Sequence, residues 1–192
     1  QKAFESYGVK PYIMLEKGDL NVAVIGVFGK DSLECAPTCA LIFQEPVEAV
    51  KQTVKTIQEQ EKADMIVCIS HSGTWEDEKK SEDELLAKAV PQLDLIISGH
   101  THSILEQPII HGETAIVSTG EYGARVGSLT MSQKDNGRWK LEDYQLTLLD
   151  ESYDSDQETV DKIAKLGATI DEEYLSQFGY RKDQVLAYNP WE

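Results

Sequence analysis

A chain of 192 residues, 41% hydrophobic and 27% charged, has the size and composition of one good-sized domain, or of a domain with an appendage. Its formal net charge of -16 excludes a nucleic-acid polymer as partner, because such binding needs a basic footprint. A small phosphorylated substrate stays compatible where a metal supplies local positive charge, and no apolar stretch is long enough to span a membrane.

The sequence opens on Gln1 with no signal-peptide pattern and closes on Asn189-Pro190-Trp191-Glu192, just after an apolar run, so both ends read as cuts inside a longer protein. Leu20 to Phe28 is nearly continuous in apolar residues and predicts a buried central strand. Cys35 and Cys39 then flank Ala36-Pro37-Thr38 in a loop. They could bridge if the Pro37 turn brings them together, whereas a zinc site there lacks a second ligand pair. An odd count of three cysteines defines no disulfide framework, and Cys68 reads as a small apolar residue of a strand.

Pro46 opens a helix whose apolar face is Val47, Val50, Val54 and Ile57. Asp64 to Ile69 is the next strand, followed by a loop with Gly73, Trp75 and the solvated run Glu76 to Lys80. Ser81 and Glu84 form a capping-box pattern ahead of Leu85, Leu86, Ala89 and Val90, and Pro91 stops that helix. Leu93 to Ile97 is the third strand, so strand and helix alternate as in a parallel sheet with right-handed crossovers. Three strands without helices follow: Thr114–Ser118, Val126–Met131 and Trp139–Leu149. Asn136-Gly137 predicts a two-residue hairpin, and a phase shift between Leu141 and Tyr144 predicts a bulge. Ser155 to Phe178 reads as a helix with a Ser155/Glu158 capping box. Val160, Ile163, Ile170 and Tyr174 line one face, and Gly179 is the stop. Asp150, Glu151, Asp154 and Asp156 place negative charge at its N-terminus.

Three of the four histidines fall where two of these strands end. His71 lies in Ser70-His71-Ser72-Gly73; His100 and His102 lie in Ser98-Gly99-His100-Thr101-His102. Imidazole is the commonest metal ligand, and the C-terminal ends of strands are where open α/β sheets place their sites. Two histidines two apart share a face on a strand but diverge toward two neighbouring ions on a turn, and Gly99 permits a close backbone approach. A lone histidine is more often a satisfied core or surface residue; three at neighbouring strand ends tip the balance to a metal site of His71, His100 and His102. His111, in Ile110-His111-Gly112, sits in a turn and is assigned no metal role. Gly120 and Gly123 around Glu121-Tyr122 read first as turn glycines, with the floor of the site as the alternative.

Val67-Cys68-Ile69-Ser70-His71-Ser72-Gly73, then Leu93 to His102, then Val117 to Leu129 resemble, in that order, the second half of the catalytic domain of calcineurin-like metallophosphoesterases, within them the 5'-nucleotidase branch. Val9-Lys10-Pro11-Tyr12 with Val22 to Val27 adds to the resemblance, as does the run of the last strand into a long helix. The resemblance implies part of an α/β/β/α sandwich, with residues 1–150 as the C-terminal half of the catalytic domain. Residues 151–192 are then a linker helix and the start of a further C-terminal domain. It implies a metal-dependent phosphomonoesterase acting on nucleotides or other small phosphate esters. Two divalent ions (Zn, Mn or Fe) generate a hydroxide that attacks phosphorus. By position His71 and His100 share one ion and His102 binds the other. The family's Asp-X-His block, bridging Asp and Asn-His pair, with its catalytic histidine, are absent from this sequence, so no catalytic acid is assigned here and the N-terminal half of the domain is the expected partner. The family's base-stacking aromatics belong to the C-terminal domain. An exported, periplasmic or cell-surface location is implied. A non-catalytic binding or scaffold relative, or a cyclic-nucleotide phosphodiesterase on the same core, are the alternatives.

Overall fold

The computed structural model describes residues 4 and 6–188. The chain divides after Leu149 into two compact units. The first is built on a six-stranded sheet. Strands β1 (Tyr12–Lys17) and β2 (Leu20–Phe28) form an antiparallel hairpin that turns at Gly18, where φ is 60°. Parallel to β2 run β3 (Met65–His71), β4 (Leu95–Ser98) and β6 (Thr114–Val117), and β5 (Ile109–His111) closes the far edge antiparallel to β6. The order across the sheet is β1-β2-β3-β4-β6-β5. The strand predicted as central, Leu20–Phe28, is therefore interior but one place from the edge.

The near-continuous apolar runs of β2, β3 and β4 are explained by cover on both faces. Between β2 and β3 lie α1 (Lys30–Glu34) and α2 (Pro46–Gln60); α3 (Glu82–Ala89) joins β3 to β4. On one face Ile25, Cys68, Ile96 and Ile116 pack with Val50, Val54 and Ile57 of α2 and with Leu86 and Ala87 of α3. Ile57, Ile96 and Ile116 are fully buried, each worth about 1.5–3 kcal/mol of burial. On the other face Val67, Leu95, Ala115 and Val117 meet Leu129, Met131, Leu141 and Tyr144. Those four belong to a separate two-stranded sheet, β7 (Arg125–Gln133) and β8 (Trp139–Leu148). Helices, sheet and second sheet thus stack as three layers of the expected sandwich. Toward the C-terminal ends of the strands this second face is uncovered, with Phe28, Ile69 and Ile97 all exposed.

Local details depart from the sequence expectations in ways that follow from tertiary partners. Ser81 is the N-cap of α3, but its side chain caps nothing in the helix; its Oγ accepts from the N–H of Trp75 at 3.3 Å, which anchors the loop. Glu84 is likewise withdrawn from a capping box, because it bonds to His111 Nε2 at 2.7 Å. The hairpin between β7 and β8 is not a two-residue turn. Lys134 N–H bonds to Arg138 O and Gly137 N–H to Lys134 O, so Asp135, Asn136 and Gly137 form a three-residue loop with Gly137 left-handed at φ 80°. The bulge falls where the phase shift placed it: Thr130 faces Asp143 and Met131 faces Leu141, leaving Glu142 as the extra residue. Cys35 and Cys39 are both free and exposed, so the open possibility of a bridge is not realised; Cys68 is buried. Burial, helped by the Asp83 charge, pushes the Cys68 thiol up to about 12.

The second unit starts at Asp150. Its helix α4 (Gln157–Thr169) is capped by Asp156, whose side chain accepts from Thr159 N–H at 2.8 Å, one residue after the predicted Ser155. The predicted single helix holds its course but changes pitch: Ile170–Tyr174 is a π turn and Leu175–Phe178 a 3-10 turn. Gly179 ends it at φ 73°. The apolar residues Ile163, Leu166, Tyr174 and Phe178 along it are exposed. Among the described residues no helix is long and apolar enough to cross a membrane.

Trp139 ties the two sheets together at the N-terminal end of the parallel strands. It is buried, and its indole N–H donates to the carbonyl of Asp64 at 2.6 Å. Trp139→Ala is expected to lower unfolding stability by about 3–5 kcal/mol, the range for aromatic truncation in a core. A urea titration of the two proteins measures it.

Candidate metal centre

The C-terminal ends of β3 and β4 are held side by side by one buried carboxylate. Asp83, on the first turn of α3, is fully buried. It accepts from Ser70 Oγ at 2.5 Å, from Ser98 Oγ at 2.5 Å and from the Gly73 N–H at 3.1 Å. Ser70 precedes His71 and Ser98 lies two before His100, so the clamp fixes the two strand ends that carry the imidazoles. Burial pushes the Asp83 carboxyl above the ordinary carboxylate range; the bonds from Ser70, Ser98 and Gly73 pull the other way, and the neighbouring Glu82 charge adds to the rise.

The loop after β2 is pressed against the same place. Gly29 N–H and Ser32 Oγ both donate to the carbonyl of His71, the former at 3.0 Å. A Cβ on Gly29 would lie 2.5 Å from Ser72 Cα, so only glycine fits this approach. The backbone N–H groups of Lys30 and Asp31 donate to the Glu82 carboxylate, each at 2.9 Å, which fixes the start of α1.

On this frame His71 and His100 stand with ring centroids 5.0 Å apart and planes at 60°. Two imidazoles on one tetrahedral ion, with metal–nitrogen bonds of about 2.0–2.1 Å, set their centroids about 5 Å apart. The donor set fits a divalent transition metal on that geometry. Phe28 stacks on the outer side of His71, centroids 6.0 Å apart. His100 Nε2 lies at hydrogen-bond distance, 2.8 Å, from Asp31 Oδ2. His102 is turned to a different set of neighbours: its Nδ1 pairs with Glu121, and its ring meets Tyr122 edge-on at 5.6 Å. Both His100 (φ 73°) and His102 (φ 56°) adopt the left-handed backbone conformation, as does Tyr122 (φ 57°). For residues with a Cβ this costs roughly 1–2 kcal/mol each, and such strain gathers at functional sites. The turn thus diverges its two histidines instead of laying them on one face.

His111 lies outside this centre. It ends β5 instead of occupying the turn itself, and it is half-buried against Glu84. Gly120 (φ 86°) and Gly123 (φ 68°) are turn glycines that present Glu121 and Tyr122 to His102. The sequence reading missed Asp31, Glu82, Asp83 and Glu121. A signal for Asp83 was present: Asp83, Leu86, Ala87 and Val90 fall at helical spacing, which places the carboxylate on the buried face.

Comparison with known proteins gives a consistent set. No family model matches the chain. The trifunctional nucleotide phosphoesterase protein YfkN of Bacillus subtilis is 28% identical over 179 residues, 90% of this chain and 12% of that protein. A 5'-nucleotidase of Vibrio vulnificus is 27% identical over 161 residues, 70% of this chain and 29% of the other. The chain therefore spans less than a third of the length of these relatives. Among solved structures, the calcineurin-like phosphoesterase YfkN from Bacillus subtilis superposes with a TM-score of 0.64 at 22% identity, covering 87% of this chain and 59% of that one. A 5'-nucleotidase precursor from Thermus thermophilus gives a TM-score of 0.64 at 22% identity, covering 87% and 35%.

Two outcomes test the frame. With its folded carboxyl titrating above its unfolded value, Asp83 favours the folded state most at pH below the unfolded value. That contribution declines as pH rises through the folded one. Asp83→Ala, which strands two hydroxyls and an N–H, is expected to cost at least about 3 kcal/mol and to remove this slope, read from urea midpoints across pH 3–8. His111→Ala is expected to lower stability by about 1–3 kcal/mol through the Glu84 carboxylate it leaves without its partner, while metal binding by calorimetry stays unchanged.

Proposed function

We propose that the chain, which is similar to a nucleotide phosphoesterase and to 5'-nucleotidases, carries one half of a dinuclear centre hydrolysing phosphate monoesters of nucleotides. His71 and His100 hold one ion and His102 its neighbour. The imidazole set suits Zn, Mn or Fe better than Mg or Ca. Divalent ions held by these histidines would supply Lewis-acid charge for a phosphoryl group and for activating water.

The observation that carries the reading is the convergence of His71 and His100 at 5.0 Å on neighbouring strand ends, with His102 diverging on a strained turn. What this chain's residues do is bind and orient. Neutral imidazoles supply nitrogen ligands; Asp83 and the loop of Gly29 to Ser32 hold the two strand ends in register. Among the described residues the carboxylates beside the imidazoles, Asp31 on His100 and Glu121 on His102, each meet one ring, whereas two cations a few ångströms apart need a shared carboxylate to offset their repulsion. The exposed strip of Phe28, Ile69 and Ile97 beside His71 is apolar sheet surface of the kind that packs under further strands. Both features support a centre completed by the N-terminal half of the catalytic domain. An exported or surface location is part of this proposal. In the scaffold alternative the ligand positions have no reason to keep three histidines.

In the full-length protein, His71→Ala or His100→Ala is expected to remove one equivalent of bound metal and most hydrolysis of a nucleoside monophosphate, with the fold intact by circular dichroism. The chain of 192 residues by itself is expected to hydrolyse a generic phosphate ester at background rate even with added Mn or Zn, and to gain activity once the N-terminal portion is supplied. Robust turnover by the isolated chain would overturn the assignment.

A further inference from the structure

The two histidines of the Gly99–His102 turn share an arrangement that the ligand assignment alone does not require. Each is left-handed, and each is met by one carboxylate on a different ring nitrogen. His100 offers Nε2 to Asp31 at 2.8 Å; His102 offers Nδ1 to Glu121. Neither carboxylate is there by chance of a floppy loop. Asp31 is set by the two backbone bonds from Lys30 and Asp31 to Glu82 and by the Gly29 and Ser32 bonds to His71. Glu121 is set between Gly120 and Tyr122, both at positive φ, with its carbonyl accepting from Ala124 N–H.

A neutral imidazole carries one N–H and one lone pair, and a bonded carboxylate fixes which nitrogen is which. Metal-bound histidines characteristically donate the other ring N–H to such a partner. Resting on the dinuclear reading above, we propose that Asp31 and Glu121 are positioning residues of the metal centre. They hold the ring protons on Nε2 of His100 and on Nδ1 of His102. His100 therefore coordinates through Nδ1 and His102 through Nε2. Opposite nitrogens, on two rings only two residues apart, direct the rings to separate ions. The carboxylates also place negative charge behind each imidazole, which raises its basicity as a ligand.

Cys35 gives the competing arrangement. Asp31, Cys35 and His100 have ligand atoms within 4.8 Å of one another and could themselves surround an ion. That use would take Nε2 of His100 as the ligand, the reverse of the proposal.

The test uses the full-length protein with 15N-labelled histidine. Cadmium loading identifies the ligating nitrogens through 113Cd–15N couplings, and Co2+ titration followed by visible absorption gives the affinities. The expected result is coupling to Nδ1 of His100 and Nε2 of His102. Asp31→Ala and Glu121→Ala should each weaken Co2+ binding at one of the two ions by about 10–100-fold. Asp31→Asn, whose amide oxygen accepts the same N–H, should recover much of that loss. Cys35→Ser should bind as wild type. Coupling to Nε2 of His100, or a Cys35→Ser loss equal to that of Asp31→Ala, would overturn the proposal in favour of the three-residue cluster. Wild-type affinity in Asp31→Ala while His100→Ala loses its ion would also overturn it and leave the dinuclear reading standing. Wild-type affinity in His100→Ala would sink the dinuclear reading itself.

Discussion

Everything at the C-terminal end of the sheet hangs on one carboxylate in a place where burying a carboxylate is unfavourable. Asp83 is surrounded by α3, β3 and β4 with no exposure to solvent. A carboxyl group there is tolerated because Ser70, Ser98 and the Gly73 backbone all donate to it. Those three donors come from two strand ends and the loop between β3 and α3, so satisfying the carboxylate and aligning the ends are the same event. Parallel neighbours have no hairpin to set their relative length; here a polar clamp does so. The imidazoles inherit its precision, since His71 follows Ser70 directly and His100 follows Ser98 by one glycine.

The layers around the clamp divide the labour. The helix-covered face is closed and apolar, and its fully buried isoleucines provide stability without polar detail. The opposite face is covered only over its lower part by the β7–β8 sheet. Above that line Phe28, Ile69 and Ile97 meet solvent, and His71 stands at the edge of the same strip, stacked on Phe28. The centre thus sits where a packed core gives way to uncovered sheet. A second set of strands laid on that strip would do two things at once: bury the apolar residues and bring further ligands to the histidines. In the proposed half-centre, stability and catalysis are completed by the same contact.

The alternation of apolar runs and amphipathic helices made the parallel order of β2, β3 and β4 readable, and the phase slip near Glu142 located a bulge to within a residue. Three histidines at strand ends were readable for the same reason: strand ends follow from where apolar runs stop. The failures have physical causes. Ser81 and Glu84 matched a local capping pattern, but tertiary partners overrode it, Trp75 for one and His111 for the other. The short β5 escaped notice because three residues carry no period. Asp31, Glu82 and Glu121 are acidic residues in a chain already crowded with them; nothing local distinguishes a carboxylate that meets a histidine or a backbone N–H far away in sequence from one that meets water. Proximity across the fold, not residue type, gives them meaning.

Charge then links these features to substrate choice. The chain carries a net charge of -16, and the immediate surroundings of His71, His100 and His102 add Asp31, Glu82 and Glu121 with no lysine or arginine bonded to any of the three imidazoles among the described residues. The carboxylates beside His100 and His102 favour a cation over an anion next to these imidazoles. Neutral imidazoles cannot reverse that sign. In the proposed centre, the carboxylates first raise the local concentration and affinity of divalent ions; only the ions then make the site attractive to a phosphate dianion. In that reading metal loading precedes substrate binding, and a small phosphate ester is held through the metal.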